Sequence, residues 1–159
     1  MPLEKTLIII KPDAVARGLT GKIVSRFEEK GLAVVAMRKT MVPRRTAEEH
    51  YAEHRDKPFY SSLVDFITSA PVVLIALEGR DAVAVVRKMI GKTLGRAAEP
   101  GTIRGDYGMS QNFNLVHASD SLLSAARETA LFFNDDDYVP SNLRDASNWT
   151  YDLSSGSPN

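Results

Sequence analysis

The chain has 159 residues, of which 43% are hydrophobic and 25% charged, with 20 basic and 20 acidic side chains. This length suits one domain around a single core. A net charge of zero is not typical of general nucleic-acid binders, which carry a basic surplus. The absence of cysteine excludes disulfides, thiolate metal sites and cysteine nucleophiles. The apolar runs are too short for a signal peptide or for the ~20 residues that span a bilayer, so we predict a cytoplasmic protein without membrane or specific nucleic-acid partners.

Hydrophobic periodicity divides the chain into strands and helices. The first strand is apolar at successive positions, which is typical of a central strand covered on both faces. Thr20, Asp81 and the pair Ser119 and Asp120 are the predicted helix N-caps. In chain order, the predicted elements are a strand at 7–10, a helix from Thr20 to Gly31, a strand at 32–42, helices at 46–54 and 60–69, a strand at 72–77, a helix from Asp81 to Gly91, a strand at 115–117 and a helix at 121–132.

This order is the double βαβ arrangement of the ferredoxin-like α+β class, a four-stranded antiparallel sheet covered by helices. We predict a single domain over residues 1–150 and a polar C-terminal tail over residues 151–159. Trp149 and Tyr151 are the large side chains that could anchor the end of the chain to this core or to a neighbouring subunit. Residues 91–111 are rich in glycine and lack a strong period, so we predict a long functional or disordered loop.

The segment His50-Tyr51-Ala52-Glu53-His54 fits the H-x-x-E-H zinc motif. Two histidines at i and i+4 on a helix can bind one metal, and the intervening glutamate can act as a general base. A zinc hydrolase that uses His50 and His54 is therefore one alternative. The competing interpretation is an amphipathic helix whose histidines partly face solvent.

His117 has a different setting, at the end of an apolar strand and just before a predicted helix N-terminus. Amide N–H groups and the helix dipole favour negative charge at such a position. A strand histidine alone is more often a core residue. However, Lys11 ends a central strand, Arg87 lies late in a helix, and Arg104 lies in the long loop. Together with an imidazole, these cations would suit a polyphosphate substrate, with histidine as the nucleophile.

Four segments in the same order resemble one known family. Asn114-Leu115-Val116-His117-Ala118-Ser119-Asp120 resembles the N-x-x-H-G/A-S-D signature of nucleoside diphosphate kinases, and residues 6–13 resemble their opening strand. His50-Tyr51 with residues 57–60, and residues 100–106, match further family segments. The resemblance covers about residues 4–150. It implies transfer of the γ-phosphoryl group from a nucleoside triphosphate to a nucleoside diphosphate through a phosphohistidine, in two ping-pong half-reactions.

The resemblance also implies site residues. His117 would be the nucleophile, with Glu128 and Ser119 holding one ring nitrogen so that the other is free. Periodicity alone places Glu128 on the polar side of the last helix, opposite Leu122. Lys11 and Asn114 would bind the ribose hydroxyls, and Phe59 would stack on the base, which explains poor discrimination among bases. The implied phosphate ligands are Lys11, Tyr51, Arg87, Thr93 and Arg104.

Mg²⁺ would enter on the nucleotide phosphates, so no protein metal ligands are expected. The family assembles as hexamers or tetramers, which implies a homo-oligomer. A second alternative is a non-catalytic nucleotide-binding regulator, which would bind nucleotide tightly without turnover.

Three positions need attention within the resemblance. Ala118 replaces the commoner glycine, which matters only if this position needs a positive φ. Leu94-Gly95 and Asn112-Phe113 depart from the usual family residues, in the long loop and near the base-binding edge. Strand alternation would also put Asn114 and His117 on opposite faces. We therefore expect Asn114 to precede the regular strand, or the chain to bend between these two residues.

Overall fold

The computed structural model describes residues 2–138 and Thr150. The predicted tail anchors Trp149 and Tyr151 lie outside these residues. The described elements are β1 (Glu4–Ile10), α1 (Pro12–Ala16), α2 (Thr20–Lys30), β2 (Ala33–Thr40), α3 (Arg44–His50), α4 (Tyr60–Ile67), β3 (Val72–Gly79), α5 (Ala82–Ile90), α6 (Ile103–Tyr107), β4 (Val116–Ala118) and α7 (Leu122–Phe132), with 3₁₀ turns at Ala52–His54, Gly95–Ala97 and Asp135–Asp137.

The four strands form one sheet in the order β2-β3-β1-β4, and all neighbouring strands are antiparallel. The ferredoxin-like α+β class is therefore confirmed. β1 is central, as its apolar run predicts: Ile9 pairs with Leu74 on one side and with His117 on the other. This pairing places His117 beside one of the two central strands of the sheet.

Alternate side chains of β1 pack into two different hydrophobic clusters, one on each face of the sheet, because successive strand side chains point to opposite faces. Ile8 and Ile10 pack in a cluster with residues of α2 and α5. Leu7 and Ile9 pack in a second cluster with residues of α3, α4 and α7. All four side chains are fully buried. Helices therefore cover both faces of the sheet, which fixes α5 and α7 near the strand that carries His117.

Two of the three predicted helix starts differ from the structure. α2 begins at Thr20 itself, with Leu19 as the N-cap residue. Asp81 is the N-cap residue of α5, as predicted, although its side chain makes no capping bond. α7 is capped by Ser121, whose hydroxyl accepts from the Ser124 amide, rather than by Ser119 or Asp120. Side chains that can cap are common in all these segments, so the sequence identifies the helices better than their first residues.

The predicted C-terminal end of α2 agrees with the structure. Gly31 follows α2 with φ of 99°, the left-handed conformation that a glycine C-cap adopts. The helix predicted at 46–54 is split, because α3 stops at His50 and the chain continues as a 3₁₀ turn. The short helix α1, which starts with a proline, was not predicted. No helix among residues 2–138 has the length and apolar character needed to cross a membrane.

The long loop predicted at residues 91–111 includes short helical elements. It contains a 3₁₀ turn and α6, and the Thr102 hydroxyl caps α6 by accepting from the Gly105 amide at 3.0 Å. Two glycines allow segments of backbone to touch. A Cβ on Gly95 would lie 2.4 Å from the Gly108 carbonyl carbon, and a Cβ on Gly105 would lie 1.9 Å from the Glu99 carbonyl oxygen. The glycine content therefore reflects close packing and not flexibility.

We expect Gly105→Ala to lower the free energy of unfolding by about 1–3 kcal/mol, because the added methyl group overlaps a backbone oxygen that cannot move freely. Urea denaturation measures this change. The matched control is Gly21→Ala in α2, where a Cβ meets nothing within 4 Å and should stabilise the helix by about 0.5–1 kcal/mol. Equal stability of Gly105→Ala and the wild type would contradict the packing described for this loop.

Candidate active site

The chain turns sharply just before His117. Leu115 has φ of 77°, and the Val116 amide donates to the Asn114 carbonyl at 2.9 Å, which closes a three-residue γ-turn. β4 begins only at Val116. Asn114 therefore precedes the strand and the chain also bends, so the expectation about Asn114 and His117 is confirmed.

A positive φ is unusual for a residue with a branched apolar side chain, and such strain persists only where the surroundings enforce it. At Leu115 the enforcement comes from two hydrogen bonds. Its amide donates to the Asp13 carboxylate at 3.1 Å, and its carbonyl accepts from the Lys11 amide at 2.8 Å. Ala118 has no positive φ, so alanine in place of glycine is accommodated there without strain.

His117 and Glu128 are directly hydrogen-bonded, through Nε2 of the ring and Oε1 of the carboxylate. The Ser119 side chain also hydrogen-bonds to Glu128. Ser119 is itself fixed to the central strand, because its hydroxyl accepts from the Leu7 amide at 3.3 Å and its amide donates to the Leu7 carbonyl at 3.2 Å. The central strand therefore orients Ser119, and Ser119 helps to orient the Glu128 carboxylate. That carboxylate in turn holds the His117 ring at one nitrogen, Nε2.

The predicted placement of Glu128 on the polar side of the last helix is wrong. Glu128 is 2% exposed, and it shares the buried side of α7 with Ala125 and Phe132. Leu122 is instead 60% exposed. The helix turns its carboxylate inward because His117 and Ser119 provide partners there, which periodicity cannot reveal.

The ring of His117 is kept neutral. Burial, followed by the charges of Lys11, Arg104 and Arg87, lowers its pKa well below the usual value for histidine. The pKa of Glu128 is raised, mainly by burial. Nδ1 of His117 makes no hydrogen bond within the described part of the chain, and the side chain is 23% exposed. A neutral imidazole with one free nitrogen is the form that can act as a nucleophile.

Lys11, Asn114 and Arg104 form one buried polar network. Lys11 Nζ donates to Asn114 Oδ1 at 2.9 Å. The Arg104 guanidinium donates to three backbone carbonyls, those of Asn114 at 3.1 Å, Gly91 at 3.0 Å and Val116 at 2.7 Å. Burial and the charge of Arg104 lower the pKa of Lys11 to about 8. Arg104 thus fastens the long loop to the strand that carries His117.

The other candidate residues lie at different depths. The exposed Arg87 donates to the Ala118 carbonyl at 3.3 Å, and the exposed Thr93 contributes its carbonyl to Asn114 Nδ2 at 3.3 Å. Tyr51 is buried, and burial raises its pKa above the usual range for tyrosine. Phe59 is 48% exposed.

A pocket of about 190 Å³ opens in front of the histidine. His117, Glu128, Tyr51 and Arg87 line it directly. Lys11, Arg104, Asn114 and Phe59 are not among the residues that line this pocket, but the ring of Phe59 packs against His54, which does line it, with 5.5 Å between centroids. The site is therefore a polar pocket with an open apolar ring at its outer edge.

The zinc interpretation of the H-x-x-E-H segment is wrong. His50 is buried at the end of α3, whereas His54 lies in the following 3₁₀ turn, 3.8 Å from Glu53. Since the helix ends between the two histidines, they do not share one helix face. Within residues 2–138 the group with metal-ligand geometry is instead His50, His117 and Glu128.

Three residues that contribute to the site were not predicted from the sequence. Asp13 holds the strained turn, Arg127 lines the pocket, and His50 packs against His117 with 4.6 Å between ring centroids. Asp13 and His50 both lie inside the recognised segments, so the signal was present, but neither role follows from residue type. Arg127 is adjacent to Glu128 and gave no signal of its own.

Comparison with known proteins gives a consistent result. The family model "Nucleoside diphosphate kinase" matches residues 4–138. A nucleoside diphosphate kinase of Archaeoglobus fulgidus is 51% identical over 150 residues, with 94% of this chain and 99% of that protein covered. One of Rhodopirellula baltica is 55% identical over 141 residues, with 89% and 93% covered. The structure of a halophilic nucleoside diphosphate kinase from Halobacterium salinarum in complex with CDP matches with a TM-score of 0.90 at 50% identity, covering 93% of this chain and 98% of that one.

The fold and these relatives define an enzyme that transfers phosphoryl groups between nucleotides, and such chemistry implies a divalent cation. The chain belongs to the nucleoside diphosphate kinase family. It transfers the γ-phosphoryl group of a nucleoside triphosphate to a nucleoside diphosphate. Neither alternative, the zinc hydrolase or the non-catalytic regulator, has support.

We expect Arg104→Lys to lower the free energy of unfolding by about 1–3 kcal/mol, because an ammonium group cannot reach the three carbonyls that the guanidinium satisfies and leaves buried acceptors unpaired. Urea denaturation measures the change. Arg96→Lys, at an exposed position of the same loop, is the control and should leave stability unchanged. Equal effects of the two substitutions would contradict the anchoring function of Arg104.

Proposed function

We propose that His117 carries the phosphoryl group between the two nucleotides, as a phosphohistidine in a ping-pong cycle. The observation that carries this proposal is the asymmetry of the ring: Nε2 is bound to Glu128, whereas Nδ1 has no partner within residues 2–138 and the side chain borders the pocket. A buried ring held at one nitrogen presents the other in a fixed direction, which reduces the entropy lost on reaction. Nδ1 is therefore the attacking atom.

Each half-reaction is a single displacement at phosphorus. In the first, the Nδ1 lone pair attacks the γ-phosphorus, the bond to the bridging oxygen breaks, and the nucleoside diphosphate leaves with the electron pair. In the second, a terminal oxygen of the acceptor β-phosphate attacks the phosphorus, and the electron pair of the P–N bond returns to Nδ1. The positive charge that the ring carries between the two steps is stabilised by the Glu128 carboxylate, oriented by Ser119.

The phosphate ligands in this proposal are Lys11, Tyr51, Arg87, Thr93 and Arg104. Phosphoryl transfer depends on positioning and on stabilising charge at the equatorial oxygens. The fixed cations Lys11 and Arg104 suit that task because neither has a carboxylate hydrogen-bonded to it in the described chain. The exposed Arg87 and Thr93 have room to reach a ligand.

The nucleoside would lie between the buried network and the outer edge of the site. Lys11 and Asn114 would bind the ribose hydroxyls, and Phe59 would stack on the base. The open position of Phe59 supports this, since a half-exposed ring offers its face without specific hydrogen bonds. The CDP complex of the halobacterial relative supports nucleotide binding in this fold.

We assign Mg²⁺ to the substrate, as the divalent cation bound to the nucleotide phosphates. The described group with metal-ligand geometry consists of two imidazoles and one buried carboxylate, whereas Mg²⁺ prefers oxygen ligands and retains water. Lys11, Arg87 and Arg104 would bind the phosphate oxygens that the cation leaves free.

We also propose a cytoplasmic homo-oligomer, hexamer or tetramer, built from a domain over residues 1–150 with a polar tail at 151–159. Large exposed apolar side chains support association, among them Met109 at 72%, Phe113 at 56% and Leu123 at 84% exposure. Light scattering after size-exclusion chromatography distinguishes these assemblies from a monomer.

A labelling experiment tests the phosphohistidine. We expect purified protein incubated with Mg²⁺ and γ-labelled ATP to acquire label that survives base and is lost in acid, and to pass it to unlabelled GDP as labelled GTP. His117→Ala should acquire no label and lose activity by more than about 10³-fold.

His54→Ala is the control for the loss of a histidine. His54 lines the pocket and packs against Phe59, so this variant can bind nucleotide more weakly, but it keeps the His117–Glu128 pair and should still acquire the label. Label that persists in His117→Ala, or nucleotide exchange without any labelled intermediate in the wild type, would overturn the proposal.

The titration of Lys11 gives a pH prediction. Because its pKa in the free protein falls to about 8, Lys11 loses its charge above that pH and attracts phosphates less. We expect kcat/KM, which reports ionisations of the free enzyme, to decline on the alkaline side of about pH 8. Lys11→Arg keeps the charge, so its decline should move to higher pH. A kcat/KM that is flat to pH 10 in the wild type would contradict the contribution of Lys11.

A further inference from the structure

His50 is a buried histidine that the proposed cycle does not use. It is the last residue of α3 and is 4% exposed. Both ring nitrogens are buried, and neither has a hydrogen-bond partner in the described chain. Burial is the main reason that its pKa falls to about 3, so the ring is neutral, with one N–H donor and one acceptor.

The ring of His50 is surrounded by the rings of the site. It packs edge-to-face against His117, with 4.6 Å between centroids and 87° between planes. Tyr51 and Phe132 pack against it at 4.6 Å and 5.4 Å. Such packing would be served equally well by a phenyl ring, which carries no polar atoms.

Two unpaired nitrogens in this setting destabilise the fold. A buried polar group without a partner costs about 1–3 kcal/mol, whereas an apolar group of the same shape is neutral or stabilising. A nearby carboxylate explains why a nitrogen is present. His50 Nδ1 lies 3.7 Å from Glu128 Oε1, the same oxygen that binds His117.

We infer that His50 is a positioning residue for Glu128: its Nδ1–H donates to the carboxylate when the phosphoryl group is on His117. The gap of 3.7 Å exceeds a hydrogen bond, but a shift of under about 1 Å would close it. When His117 becomes cationic, Glu128 Oε1 is the atom that must stay fixed against it. A second donor on that oxygen holds the carboxylate in place during transfer. This inference rests on the proposed function of His117.

The test compares two substitutions at the same position. His50→Phe keeps a ring against His117, Tyr51 and Phe132 but removes both nitrogens. His50→Asn removes the ring and keeps an amide N–H near the place of Nδ1. The measurements are the single-turnover rate of His117 phosphorylation by Mg²⁺ and γ-labelled ATP, the KM for nucleotide, and the urea midpoint of unfolding.

We expect His50→Phe to unfold at the same or a higher urea concentration than the wild type, with KM within about twofold and phosphorylation slowed about 10- to 100-fold. His50→Asn should unfold earlier, because a cavity replaces the ring, but should phosphorylate faster than His50→Phe. A purely structural residue would give the opposite order, since the better-folded variant would also be the faster one.

Three results would overturn the inference: wild-type phosphorylation rates in His50→Phe, equal slowing in both variants, or slowing that appears only as a raised KM. If His50→Phe does not fold, His50→Leu replaces it as the variant without nitrogens. A wild type that acquires no label on His117 would instead refute the proposed function, and this inference with it.

Discussion

The hydrogen bond between His117 and Glu128 is the interaction on which the rest of the site depends. A carboxylate that is 2% exposed is tolerated only where polar partners replace water. Here the partners come from the strand beside the centre of the sheet, since His117 pairs with Ile9 and Ser119 is bonded to Leu7. The rigid, two-sided core around β1 therefore fixes the histidine ring as well as the fold.

The strained turn at Leu115 is a consequence of the same constraint. His117 must pair with Ile9 in the register of β4, while the Asn114 side chain must reach Lys11, the residue between β1 and α1. A regular strand cannot satisfy both, so one residue takes a positive φ, at a cost of about 1–3 kcal/mol. Arg104 offsets this strain by binding carbonyls on both sides of the turn, those of Asn114 and Val116.

The sequence was sufficient for the parts of the molecule that repeat a pattern. The run Leu7 to Ile10 predicts a central strand, and four motifs in the same order identify the family by resemblance. It failed where a long-range contact overrides the local pattern. Glu128 faces the interior because its carboxylate hydrogen-bonds to His117. Gly105 allows two backbone segments of the loop at residues 91–111 to pack in contact. Neither contact leaves a periodic trace in the chain.

A chain with no net charge brings three cations close enough to act on His117, because composition sums charges that the fold separates. Lys11, Arg87 and Arg104 act on two properties at once. Their field disfavours a proton on His117, which keeps its ring neutral. In the proposed cycle the same field attracts the anionic phosphates of the nucleotide. Glu128 provides the opposite charge at Nε2 of the ring, which in the proposed cycle becomes positively charged only after attack. The ring thus lies between a field that favours its neutral form and a carboxylate that would stabilise its cationic form in the proposed intermediate. Moving between these two states would then require little rearrangement of the protein.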